Sequence, residues 1–376
     1  MKLLIATGIY PPIPGGPATY AKLLFEELPE KGIKTKVFSF DEVRKYPKGV
    51  SHLFYLVKLL VLARDVDLIC AQDPVSVGYP TMIVSKLLRK KYVLRLGGDF
   101  AWEQGVKRFG VKDTLDEFVK GDKEYDSNVM RLKRVQKKVA ENSEKIIVPS
   151  VYLKNIVVSW GIDDRKVRVI YNSFEGTVLK ETKEDLRKEY GYDGPIIFTA
   201  ARLVPWKGIG TLISIMPNLM KKFPDIRLVV VGSGPEKEEL DKLIKEGNLE
   251  DKVEMMGALP QIELFKRLKA SDVFVLNTAY EGLSHQILEA LSIGTPIVTT
   301  NVGGNPEVIV DKKNGLLVEY DNKKELEHSI ELLIKDRNLA DEFVKEGQET
   351  VKGFSKEKLL TEITKEFKSI IQIRKI

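Results

Sequence analysis

A chain of 376 residues exceeds what one hydrophobic core comfortably fills, so two domains are the default expectation. Its 43% hydrophobic and 30% charged residues are those of a globular protein and exclude a disordered or fibrous one. The net charge of +6 is uneven, with 31 Lys and Arg against 21 Asp and Glu in residues 1–180 and 29 against 33 in the remainder.

The opening run Met1–Ala6 is too short for a signal peptide or a membrane span. Phe54–Ala63, the longest apolar stretch, is interrupted by Lys58. The expected location is therefore cytoplasmic, with peripheral docking at the inner face of the membrane through the basic first half. Lys-rich helix faces that only keep a protein dispersed would give the same charge count. Short β-rich runs alternate with helical patterns throughout the first half. Candidate strands are Lys2–Ala6, Thr35–Phe40, Asp67–Ala71, Tyr92–Leu96, Lys145–Val148 and Arg168–Tyr171, with helical stretches at Thr19–Leu28, Leu53–Arg64 and Met130–Ala140. Cys70, the single cysteine, falls in a strand and excludes an intramolecular disulfide; with three scattered histidines it argues against a zinc site.

Ile196–Ala200, Arg227–Val231, Lys252–Met256, Asp272–Leu276 and Pro296–Thr300 repeat the layout in the second half. This alternation implies two α/β domains with doubly wound parallel sheets, divided within residues 172–194. Ser355–Ile376 reads as a helix with no following strand.

Several strand ends carry candidate chemistry, and ligands of open α/β sheets bind beyond the carboxyl ends of strands. After the first strand, Pro11, Pro12 and Pro14 stiffen a loop ending in Gly15-Gly16, where backbone can approach a phosphate or sugar. This loop matches neither the dinucleotide fingerprint nor the P-loop. The fourth strand ends in Gly97-Gly98-Asp99, and Asp99 is either functional or a helix cap. Residues 106–127 are polar and irregular, read as a mobile loop with short helical pieces. Lys86–Lys91 and Arg131–Lys138 have apolar residues interleaved with cations, a pattern of basic amphipathic helices or of solvated faces on packed ones.

In the second half, Arg202 and Lys207 follow a strand within one loop; a planar fork and a mobile ammonium suit a diphosphate. Gly232 and Gly234 open a turn after the next strand, where backbone can meet a base or phosphate. The run Asp272–Leu276 leads to Glu281, a turn through Gly282 and Leu283, Ser284 at an N-cap position, His285, and a helix carrying Glu289. Two carboxylates eight residues apart would fall on one side of the element and face one polyhydroxylated ligand.

The ordered set Arg202-x4-Lys207-Gly208, Val231-Gly232-Ser233-Gly234-Pro235, Glu281-x7-Glu289 and Gly303-Gly304-Asn305-Pro306-Glu307 resembles the family 4 retaining glycosyltransferases, over essentially the whole chain. The resemblance implies the GT-B fold, two Rossmann-like domains facing across a cleft. Residues 1–175 would bind the acceptor, 176–355 the nucleotide-sugar donor, and helix 356–376 would pack back on the first domain. Arg202 and Lys207 would hold the donor diphosphate, Glu289 the ribose hydroxyls and Glu281 the transferred sugar. The amides of Gly282, Leu283, Ser284 and His285 would cap sugar or phosphate, and Gly15 and Gly16 would approach the diphosphate. Two positions depart from the pattern. Ala18 stands where many relatives carry an acid, and Gly97-Gly98-Asp99 where many carry a His, so Asp99 becomes the candidate for orienting the acceptor or stabilising positive charge.

The implied activity is metal-independent, retaining transfer of a hexose from a UDP- or GDP-sugar to a glycan or lipid-linked acceptor. The donor is a substrate and no further cofactor is expected; nucleic acid is not an expected partner. A nucleotide-sugar epimerase, or a non-catalytic nucleotide-sugar binder, remains as the alternative.

Overall fold

Among the described residues, short runs of three to six residues become twelve strands, most of them apolar and buried on both faces. The computed structural model describes residues 1–372 apart from 14, 48, 122, 175, 177 and 178. The chain divides into two compact units, 1–172 with 356–376, and 173–355.

In the first unit, β1 (Lys2–Thr7), β2 (Lys34–Ser39), β3 (Leu68–Ala71), β4 (Lys91–Arg95), β5 (Lys145–Val148) and β6 (Val167–Val169) form one parallel sheet in the order β2-β1-β3-β4-β5-β6. The order reverses between β1 and β3, which opens a crevice at their carboxyl ends. Cys70 is buried in β3, and burial pushes its thiol up to about 12, consistent with a core residue. The helix Lys356–Gln372 lays Leu359, Leu360, Ile363, Phe367 and Ile370 into this unit's core against Leu3, Ile5 and Leu24. Their spacing is that of one helix face.

The second unit contains β7 (Ile196–Ala200), β8 (Arg227–Val231), β9 (Val253–Gly257), β10 (Val273–Leu276), β11 (Ile297–Thr300) and β12 (Leu316–Val318). Their order, β12-β11-β10-β7-β8-β9, is the dinucleotide-binding arrangement, with its reversal between β7 and β10. The three-residue β12 gives too little pattern for a sequence reading to find. Asp272 anchors the opposite end of this sheet. Its carboxylate accepts from Lys183, Arg187, Arg337 and the Ile196 N–H at 2.9–3.0 Å.

One expectation is corrected. Lys86–Lys91 is no amphipathic helix: the helix Gly78–Leu88 ends there, Arg89 turns to φ 50° and Lys91 already belongs to β4. Lys90 Nζ donates to the Val66 carbonyl at 2.7 Å and Lys91 Nζ to the Ile370 carbonyl at 2.9 Å, so both ammonium groups tie the fold together. The polar region 106–127 carries the short helical pieces expected of it, one helix running to Arg108 and another at Leu115–Lys120 under a Thr114–Glu117 capping box. Arg131–Lys138 does lie in a helix, Ser127–Asn142.

Candidate active site

The strand-order reversal of the second unit brings together the loops after β7 and β10. Thr278 Oγ1 donates to the Trp206 carbonyl at 3.0 Å, the Ala279 N–H to the same oxygen at 2.8 Å, and Asn277 Nδ2 to the Gly208 carbonyl at 3.1 Å. Gly208 is in the left-handed region at φ 52°, and a Cβ there would lie 2.3 Å from Asn277 Nδ2. This stitching sets Lys207 against Glu281, and the two side chains form an ion pair with little exposure on either. Arg202, by contrast, is exposed, its guanidinium 5.9 Å from the centre of the Trp206 ring.

Glu281 itself rests on a glycine pair. Gly303 has φ 60° and a Cβ there would stand 2.1 Å from the Glu281 carbonyl oxygen; at Gly304 it would stand 2.3 Å from that of Gly282. The Gly304 N–H donates to the Glu281 carbonyl at 2.9 Å. Only a residue without a side chain permits this approach. The same logic applies to Gly232 and Gly234, whose Cβ positions would fall 1.8 and 2.2 Å from the carbonyls of Ala201 and Leu203. Those two glycines shape the loop bearing Arg202.

Ser284 caps the helix His285–Ile293 as its sequence position implies, with Oγ accepting the Ile287 N–H at 3.3 Å. The turn Gly282–His285 therefore presents a helix N-terminus at the crevice. Glu289 sits in the second turn of that helix. Among the described residues its carboxylate has no hydrogen-bond or ion-pair partner, and burial alone pushes it up to about 7. A desolvated carboxyl without a partner is costly, and such groups concentrate at functional sites.

In the first unit, Gly15 (φ 148°) precedes the helix Gly16–Glu27, which starts three residues earlier than the Thr19 expected and has no side-chain cap. Its first N–H groups lie at the carboxyl edge of the sheet. Asp99 is the N-cap of the helix Phe100–Arg108 and is 1% exposed. Its carboxylate accepts from the Trp102 N–H at 2.9 Å and from Gln136 Nε2 at 3.1 Å. Burial raises its pKa against those bonds. The side chain thus positions this helix and ties it to the helix that carries Gln136.

Sequence reasoning passed over Asp73. It follows β3 at the first unit's own strand-order reversal. Oδ1 accepts the N–H groups of Val75, Ser76 and Val77 at 2.8, 2.5 and 3.3 Å, while Oδ2 takes none of these bonds and lies 3.1 Å from where a Cβ of Gly8 would be. Burial raises its pKa. Beside it in sequence, buried Gln72 has an Nε2 with no partner among the described residues. An acid directly behind a strand next to the reversal was the available signal. Among the described residues no three His, Cys, Asp or Glu side chains converge as metal ligands, and no helix is long and apolar enough to cross a membrane.

Comparison with known proteins completes the description. Residues 182–350 match the family model described as glycosyl transferases group 1, and residues 14–175 match that of glycosyltransferase family 4. The chain is 32% identical over 194 residues to the lipopolysaccharide core biosynthesis glycosyltransferase LpsE of Rhizobium meliloti, covering 51% of this chain and 55% of that one. It is 32% identical over 177 residues to the GDP-mannose-dependent alpha-(1-6)-phosphatidylinositol monomannoside mannosyltransferase of Mycobacterium tuberculosis, covering 45% and 46%. The matched regions thus span about half the length of these curated relatives. The crystal structure of Anabaena HepE with UDP-glucose superimposes with a TM-score of 0.79 at 20% identity, covering 98% of this chain and 100% of HepE.

Proposed function

The chain belongs to the group 1 and family 4 glycosyl transferases and has their GT-B fold, and from that premise we propose that it moves a hexose from a nucleotide-diphosphate sugar to a hydroxyl of a glycan or lipid-linked acceptor. The observation that carries this reading is Glu289, a half-buried carboxylate with no hydrogen-bond or ion-pair partner among the described residues, beside the crevice that also holds Arg202, the Lys207–Glu281 pair and a helix N-terminus. A ribose diol supplies the two donors that Glu289 lacks. Lys207 and Arg202 suit the diphosphate, and the Gly282–His285 amides suit its distal phosphate or the sugar. Glu281, held by Gly303 and Gly304, is left to hydrogen-bond the hexose hydroxyls. HepE was crystallised with UDP-glucose and the mycobacterial relative is named for GDP-mannose, which supports a nucleotide-diphosphate hexose without choosing the base.

The reaction proceeds with retention at the front face. The bond from the anomeric carbon to the leaving phosphate oxygen breaks as the acceptor oxygen approaches from the same side, and the acceptor proton passes to that phosphate oxygen. Negative charge grows on the nucleoside diphosphate, where Lys207, Arg202 and the helix amides lower its energy. In the first unit, Asp73 Oδ2 anchors an acceptor hydroxyl. The donor is the substrate, and this scheme uses no metal or cofactor.

Thermal-shift titration with UDP, GDP and ADP and their hexose conjugates tests the reading, because a ligand of the native state alone raises its apparent stability. One nucleotide should stabilise the protein and fail to do so with Glu289→Ala. No stabilisation by any of them would overturn the assignment, and an inverted anomeric configuration in the product, read by NMR, would overturn the front-face step.

A further inference from the structure

One row of polar side chains closes the carboxyl edge of the first unit's sheet. The registers Ala6↔Ala71 and Ala71↔Leu94 continue by one residue to align Thr7, Gln72 and Arg95 across β1, β3 and β4. The Gln72 N–H donates to the Ala6 carbonyl at 2.9 Å and holds that alignment. Side chains alternate along a strand, so the row stands over Ile5, Cys70 and Val93 of the apolar core on the same face. Thr7 is fully buried, and Gln72 and Arg95 are each 4% exposed.

Two members of the row are unbalanced. Arg95 Nη2 donates to Asn172 Oδ1 at 2.7 Å, and the guanidinium lies 4.2 Å from the centre of the Tyr20 ring. An amide and an aromatic face hold the group in place without cancelling its charge. Among the described residues no carboxylate pairs with it, and a guanidinium cannot shed its proton to relieve burial. Gln72 Oε1 is 3.4 Å from Thr7 Oγ1, whereas its Nε2 is buried with no partner among the described residues. A charge without a counter-charge and a donor without an acceptor thus stand on neighbouring strands, and an anion answers both. The way in is at Gly97, which is exposed: a Cβ there would stand 2.9 Å from Arg95 Nη1. The bare glycine leaves that edge of the guanidinium open to an incoming group.

We propose that Arg95 and Gln72 form an anion subsite of the first unit, which takes a phosphate or carboxylate borne by the acceptor sugar. The planar fork of an arginine matches either group. The donor diphosphate has cations of its own, Arg202 and Lys207, in the second unit. Asp73, the residue after Gln72, is the anchor proposed for the acceptor hydroxyl, which assigns the anion to the same molecule. The acceptor is then a sugar phosphate or a uronic acid rather than a neutral glycan end. Its being the acceptor rests on the transferase reading; the anion subsite itself does not.

Thermal-shift titrations of the full chain with glucose 6-phosphate, glucuronate, glucose and inorganic phosphate test this. At least one of the two charged sugars should stabilise the protein, and glucose at the same concentration should not. Arg95→Gln should lower the apparent affinity for that sugar at least about tenfold, the loss expected for a charge-assisted hydrogen bond. Gly97→Ala should lower it similarly and covers the case of Arg95→Gln failing to fold. It keeps Arg95 and sets a methyl group against Nη1, at a glycine outside the left-handed region. Both variants should keep the nucleotide thermal shift that Glu289→Ala loses, so the two readings fail separately. No response to either charged sugar, an equal response to glucose, or an affinity unchanged in either variant overturns the proposal. Inorganic phosphate binding as tightly as the sugar phosphate overturns it too, since the subsite then reads no sugar. So does a nucleotide shift lost in Gly97→Ala, since the anion then belongs to the donor.

Discussion

Replacing Glu289 by Gln should make the protein more stable at high pH while removing its nucleotide affinity. A glutamate ordinarily titrates near 4.5, and burial holds Glu289 at about 7. The folded state then binds the proton more tightly than the unfolded state. Stability from this group is complete at low pH and is lost as pH rises through the folded value. The difference of about 2.5 pK units corresponds to about 3 kcal/mol of destabilisation by about pH 8, against under about 1 kcal/mol at about pH 5. Glutamine cannot ionise, so urea unfolding of wild type and Glu289→Gln at the two pH values should diverge by about 2 kcal/mol more at the higher one. Any fixed cost of the buried amide cancels in that comparison. Nucleotide affinity should rise in wild type as the carboxylate forms through about pH 7 and stay flat and weak in the variant. A stability difference that is the same at both pH values would refute the claim that Glu289 is a desolvated, unpartnered carboxylate.

Lys207→Met should reduce transfer at least about a hundredfold, by the loss of leaving-group stabilisation, as measured by turnover at saturating donor. Gly303→Ala, with its Cβ driven into the Glu281 carbonyl, should cost about 2 kcal/mol or more and reduce activity, whereas Gly353→Ala, where a Cβ meets nothing, should be silent in the same unfolding assay. Asp272 is held down at about 2 by its three cations and the Ile196 amide. Its contribution of about 2 kcal/mol is present above the ordinary aspartate range and lost as pH falls through the folded value, so Asp272→Asn should be less stable than wild type at neutral pH and converge with it in acid-unfolding curves. Asp73→Asn should weaken acceptor use, read as a raised acceptor KM, and leave the nucleotide thermal shift intact; a lost nucleotide response would place Asp73 elsewhere in the chemistry.

The parallel sheets were legible because strands buried on both faces tend to be continuous apolar runs, as in Leu68–Ala71 and Val273–Leu276. Ser284 was legible because a helix start announces itself by its cap. What the letters could not carry was proximity. Gly303 and Gly304 read as a loop, and only three dimensions show them pressed on the carbonyls of Glu281 and Gly282. Asp99 and Asp73 look alike in sequence, each an acid behind a strand of the same sheet. Gln136, thirty-seven residues away, closes over the first, while among the described residues no hydrogen bond reaches Oδ2 of the second. Lys207 and Glu281, seventy-four residues apart, form a pair that only the strand order creates.

The return of the helix Lys356–Gln372 to the first unit has a consequence for biosynthesis. A chain emerging from the ribosome can finish the second unit as one uninterrupted segment, but the first must wait for its last helix. Until then the surface that receives Leu360, Ile363 and Phe367 stays open, and a product stopped short of residue 356 displays that wound permanently. Chains stopped before that helix should therefore be recognised by chaperones and proteases through the open core of the first unit.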